Sequence, residues 1–220
     1  MRNMAIENDG RWGMLGQWSP TLYLIAGVLL IGYAALNGIA AFTDAAYVTV
    51  KDVVGPAGFL LGFVGLLGLY PRLAGRSPTL ARIGAVCVSL GAVGFAVITV
   101  IGFAVLAGIT SWSVPGVTLL LVAIGMIPGY LSFSLASFRA TEQRRATGFL
   151  FLVPAVVFTA MLLQPFVYSA VGLFSETTMA WSNFAISSGQ AVAHVAIAYS
   201  LRAAGSAHER EAPSTGVPLD

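Results

Sequence analysis

Long apolar stretches alternate with short polar connections along this chain, and six of the stretches approach membrane-spanning length, at about residues 21–42, 54–70, 83–109, 116–138, 148–171 and 181–201. A bilayer core of about 30 Å takes roughly 20 apolar helical residues to cross. Within lipid, a helix satisfies its own backbone groups. The pattern therefore predicts an all-α polytopic membrane bundle of about six transmembrane helices, with residues 19–204 as the membrane domain. Residues 1–18 read as a polar leader with interfacial Trp. Residues 205–220, which include Pro213, Ser214, Gly216 and Pro218, read as a flexible tail. The connections are short, so consecutive helices are expected as antiparallel neighbours.

Charge orients the bundle. Ten of the eleven basic residues (Arg2, Arg11, Arg72, Arg76, Arg82, Arg139, Arg144, Arg145, Arg202 and Arg210) fall on one side of the predicted spans, and only Lys51 falls on the other. Basic residues in short loops stay on the cytoplasmic side. Both termini are thus expected in the cytoplasm, in a multi-pass protein of the cell membrane. The first stretch is about 22 residues long, beyond the roughly 7–15 of a signal-peptide core, and reads as a retained span.

Composition narrows the function classes. The chain is 57% apolar and 9% charged, with mean hydropathy +0.85, which excludes a water-soluble globule. Its net charge of +2 is explained by arginines beside anionic head groups, so no nucleic-acid partner is expected. The expected partners are the lipid bilayer and a membrane protein or second copy. Cys87 is the one cysteine and supports neither a disulfide nor a thiolate metal site.

Local signals refine the helices. Ser19-Pro20 and Ser77-Pro78 each precede Thr-Leu and read as helix starts, with serine as cap and proline in the first turn. Trp12, Trp18, Trp112 and Trp181 stand at predicted water boundaries. Gly55, Gly58, Gly62 and Gly65 share one face of the second helix. Gly84, Cys87, Gly91, Gly94 and Gly102 share one face of the third. Small residues let helix backbones approach closely, so the two faces are expected to meet, the alternative being a seam between copies.

Polar residues inside the spans mark a candidate site. Asn183, Ser187, Gln190 and His194 are spaced by four, three and four residues and lie within roughly a 60° arc of the sixth helix. Tyr33 and Asn37 on the first helix, with Gln164 and Tyr168 around Pro165 on the fifth, fall at a similar depth toward the outer surface. These eight residues are expected either to line an outward-facing polar pocket or to form interhelical hydrogen bonds. A further polar set, Tyr130, Ser134 and Ser137, follows Pro128-Gly129 on the fourth helix and reads as serines bonded back to their own helix.

Enzyme motifs are sparse. Ala193-His194 on the sixth span faintly resembles the histidine segment of rhomboid intramembrane proteases, a resemblance that implies a serine–histidine dyad. The fourth span lacks that family's Gly-x-Ser-Gly, and Ser132 and Ser134 lie at a different predicted depth from His194. No second intramembrane histidine supports haem, no buried lysine supports retinal, and no carboxylate lies within a span to relay protons. No metal or cofactor is expected. The reading is a non-enzymatic membrane subunit or interaction bundle, the alternative being binding or transport of a small uncharged solute.

Overall fold

Helices account for all the regular structure in the computed structural model of the chain, which describes residues 10–43, 50–139, 142–173 and 175–211. Helix α1 covers Gly10–Thr43, α2 Lys51–Leu67, α3 Tyr70–Ala74 and α4 Pro78–Leu106. Next come α5 at Gly116–Ile124, a π turn at Gly125–Gly129 and α6 at Tyr130–Phe138, which together form one rod. Then α7 covers Glu142–Ala170 and α8 Glu176–Glu211. Five segments are long and apolar enough to cross a membrane: Gly13–Thr43, Pro78–Leu106, Gly116–Phe138, Arg145–Ala170 and Glu176–Ala204. Helix α2, at 17 residues, is shorter than these five.

Packing partners give the topology of the bundle. Gly55 lies beside Tyr33, Gly58 beside Leu30 and Gly65 beside Tyr23, so each step along α2 is matched by an equal step back along α1. Gly91 beside Phe63 and Gly102 beside Asp52 set α4 antiparallel to α2. Gly84 beside Phe133 and Gly94 beside Val122 do the same for α4 and the α5–α6 rod. Thr147 bonds Ser200 at 2.7 Å, and Gln164 accepts from Ser182 at 2.9 Å, which fixes α7 antiparallel to α8. The ring closes where α8 returns to α1, with Val195 against Gly27 and Phe184 against Gly38. At its centre are Tyr23, Phe63, Met126, Tyr130, Phe151 and Ile197, all almost fully buried.

Two helix ends at the distal end of the bundle, opposite the start of α1, are closed by glycine. Gly108 and Gly172 have φ of 71° and 70°, a left-handed conformation that costs a residue with a side chain more. Ile109 N–H bonds the Ala104 carbonyl and Leu173 N–H bonds the Tyr168 carbonyl, both at 2.9 Å, which completes the six-to-one closure of α4 and α7.

Several expectations are corrected. Ser19-Pro20 does not start a helix: Pro20 lies inside α1, and the Ser19 hydroxyl donates back to the Leu15 carbonyl at 3.1 Å. Packing by the flanking apolar residues outweighs the one backbone bond that proline removes. Ser77-Pro78 does start α4, but Ser77 makes no capping bond, and its buried hydroxyl has no hydrogen-bond partner. The two Ser-Pro-Thr-Leu segments are therefore structurally unlike. Helix α8 continues to Glu211, into the expected tail, while residues 1–9 of the leader and 212–220 of the tail lie outside the described residues.

The two glycine faces do not meet each other. Gly55, Gly58 and Gly65 of α2 receive α1, and Gly62 receives His194 of α8. On α4, Gly84 and Gly94 receive the α5–α6 rod, Gly91 receives that rod and Phe63, and Gly102 receives the backbone at Asp52. Every glycine of both faces is covered by another part of the same chain, so none is left for a seam between copies.

Candidate binding cavity

The polar stripe of α8 enters the bundle from the distal end in the order Asn183, Ser187, Gln190, His194, as its helical spacing requires. At the top, Gln164 of α7 is held by three contacts: its amide donates to Asn183 Oδ1 at 3.3 Å and points to Met179 Sδ at 3.2 Å, and its carbonyl accepts from Ser182. Asn37 of α1 donates to the Tyr33 carbonyl at 3.1 Å and to Ser187 Oγ at 3.4 Å. Ser187 in turn donates to the Asn183 carbonyl at 2.7 Å. These bonds tie α8 to α1 on one side and to α7 on the other. Tyr168 is half-buried, and no hydrogen bond joins its side chain to the set.

One turn deeper, Gln190 is 1% exposed. Its amide donates to the Pro154 carbonyl of α7 at 3.0 Å, a bond that fixes the side chain's orientation because a carbonyl can only accept. The Gln190 Oε1 is buried without a hydrogen-bond partner.

His194 forms the base of the stripe and is fully buried. Its Nδ1 lies 2.8 Å from the Gln190 carbonyl, and its Nε2 lies 3.3 Å from the Tyr130 hydroxyl. The carbonyl requires a proton on Nδ1, which in the neutral ring leaves Nε2 to accept from Tyr130. Rings of Tyr23, Phe59 and Tyr130 surround it, with centroids 5.6, 5.9 and 6.4 Å away. No serine bonds it. Ser134 donates instead to the Gly148 carbonyl across the α6–α7 contact, and Ser137 donates to Phe133 of its own helix.

A cavity of about 210 Å³ lies above this base, between the distal halves of the helices. Tyr33, Asn183, Ser187 and Gln190 line it, and the rest of its wall is apolar, formed by Phe59, Phe95, Ile98, Val122, Phe158 and their neighbours. Four of the eight expected pocket residues thus border one space. Asn37 and Gln164 stand behind it and brace α8. His194 is shut out by Phe59, which stacks on Phe95 with centroids 5.0 Å apart and meets the imidazole edge-on. Tyr130, the partner of His194, belongs to the separate polar set of the fourth span, and helical spacing within one span carries no information on a contact between two. The signal available was its place directly after the Pro128-Gly129 break.

The π turn shapes this cavity. Pro128 supplies no amide, and the widened turn at Gly125–Gly129 lets Gly125 cross against Gly91 of α4, where a Cβ on Gly125 would meet the Gly91 Cα at 2.5 Å. Below the turn α6 packs on α7, and above it α5 packs on α4 with no comparable contact to α7. Leu119 and Leu162, 55% and 41% exposed, border the resulting gap.

Comparison with known protein families, curated proteins and solved structures finds no match to this chain. Among the described residues no group of histidine, cysteine, aspartate and glutamate is placed to hold a metal ion.

Proposed function

We propose that this chain is a six-span membrane protein, with both termini cytoplasmic, that binds a small uncharged molecule in its distal cavity without catalysing a reaction on it. The observation that carries this reading is the cavity itself: a mostly apolar space of about 210 Å³ edged by four polar side chains. Small-molecule sites have this character, apolar walls with a few placed polar groups. An engineered apolar cavity of about 150 Å³ already holds benzene.

Packing supports a sixth crossing. Helix α2 is about 26 Å long at 1.5 Å per residue, near the lower limit for a span. It runs beside α1 and α4 over its whole length, from Gly55 to Gly65 on one side and from Asp52 to Phe63 on the other. The arginine asymmetry supports a place for the cavity in the outer half of the membrane.

The absence of a nucleophile bonded to His194 supports binding over catalysis, since both ring nitrogens are engaged by Gln190 and Tyr130. Native mass spectrometry after gentle extraction tests the reading. A retained small molecule, lost when Ile186 in the cavity wall is replaced by Phe, is the expected result. A stoichiometric protein partner with no small molecule would favour an accessory-subunit role and overturn it.

A further inference from the structure

The cavity offers a ligand more hydrogen-bond donors than acceptors, and the inference drawn from this imbalance rests on the binding reading above. Four polar side chains edge the space. Ser187 is engaged within the protein: its hydroxyl donates to the Asn183 carbonyl and accepts from Asn37. Gln190 gives its amide to Pro154, and its Oε1 is buried out of a ligand's reach. Asn183 and Tyr33 remain.

The neighbours of Asn183 assign its two polar atoms. Gln164 accepts from Ser182 through its carbonyl and presents its amide to Asn183, whose Oδ1 accepts at 3.3 Å. The Asn183 Nδ2 is a donor only. It donates to no acceptor among the described residues, yet the buried unpartnered atoms there are the Tyr23 and Ser77 hydroxyls and Gln190 Oε1. Asn183 Nδ2 is therefore accessible. The Tyr33 hydroxyl, the other polar group on this space, can donate or accept. Each group left to a ligand can thus donate, and that of Asn183 can do nothing else.

Depth and access agree with this polarity. Asn183 comes two residues after Trp181, whose ring meets Phe42 of α1 edge-on, and indoles favour the head-group level. The apolar wall reaches deeper: Phe158 lies twelve residues, about 18 Å, from the distal end of α7. The gap between α5 and α7 is bordered by the exposed Leu119 and Leu162, which face hydrocarbon in the six-span reading. No charged side chain lines the cavity, so an ion buried there would go uncompensated.

We infer that the cavity takes an uncharged, lipid-soluble carbonyl compound, a ketone or ester about the size of one substituted six-membered ring. Its oxygen accepts from Asn183 Nδ2, and its apolar body lies deeper, against Phe59, Phe95 and Phe158. Asn183 is then the specificity-determining residue.

The experiment compares acetophenone with α-methylstyrene, which have nearly the same shape and differ in having C=O or C=CH2. Each is titrated, at matched bilayer concentration, into the full chain in phosphatidylcholine nanodiscs, and affinity is read from the shift in thermal unfolding. Acetophenone is expected to bind about three- to tenfold tighter, the factor of one neutral hydrogen bond. Asn183→Leu should abolish that difference while α-methylstyrene still binds, which shows that the cavity is intact. A second readout needs no variant: the side-chain amide nitrogen of labelled Asn183 shifts with acetophenone and not with α-methylstyrene. Equal affinities with no selective shift, or a preference that survives Asn183→Leu, would overturn the assignment while leaving the binding reading intact. Failure of both compounds to bind would remove both.

Discussion

Gly62 and His194 occupy one volume: a Cβ on Gly62 would lie 2.8 Å from His194 Nε2. The glycine on α2 is what admits the imidazole of α8 to the centre of the ring, where it reaches Tyr130. Gly62→Ala is expected to displace a ring already enclosed by Tyr23, Phe59 and Tyr130, at about 1–3 kcal/mol, the usual cost of overpacking. Reversible unfolding in mixed micelles measures it. An unchanged stability would show that the ring can move freely.

The hydrogen bonds of His194 predict its tautomer. Nitrogen NMR on labelled histidine in bilayers, assigned with His194→Gln, should find the proton on Nδ1 and no exchange with water. Tyr130→Phe should leave Nε2 without a donor and cost about 1–3 kcal/mol. A proton on Nε2 of the neutral ring, or rapid water exchange, would contradict a dry centre closed off by Phe59.

At the crossing of α4 and the π turn, backbone meets backbone. A Cβ on Gly91 would lie 2.7 Å from the Gly125 Cα, and its other near neighbour is the ring of Phe63. No flexible side-chain end is available to yield along the helix axis, so Gly91→Val is expected to be more damaging than Gly62→Ala. The measure is the fraction of chain recovered as folded protein after gentle extraction.

Gln164 braces the top of α8 through Asn183 and Ser182. Interhelical hydrogen bonds in membrane proteins average about 0.6 kcal/mol each, so Gln164→Leu should cost about 1 kcal/mol. The same unfolding assay reads it, and a loss above about 3 kcal/mol would mean that the α7–α8 contact depends on this one side chain.

What could be read before the structure follows physical lines. The 116–138 span was legible at both ends because Pro115 and Arg139 bound it, and the polar arc of α8 because helical spacing alone fixes a face. Ser19-Pro20 misled because a capping signal also tolerates burial inside a long helix, where neighbouring packing decides. The glycine periodicity identified two small-residue faces but carried no information on what each would meet. That depends on the register between helices. The same dependence hid the Phe59 ring that divides His194 from the cavity, and the bond from Tyr130 to His194. The Gln190 carbonyl could not be singled out either, since its isolation arises only once Pro154 claims the amide.

A closed ring of six crossing helices requires α2 to return the chain through the membrane. In a Cys87→Ala background, single cysteines at Gly75, Ser111 and Thr177 probe the α3–α4 corner, the α4–α5 connection and the start of α8. All three positions are exposed, and the Cβ at Gly75 meets nothing within 4 Å. An impermeant thiol reagent applied to intact cells should label Ser111→Cys and Thr177→Cys, and should reach Gly75→Cys only after permeabilisation. Labelling of Gly75→Cys on intact cells, with Ser111→Cys protected, would contradict the account.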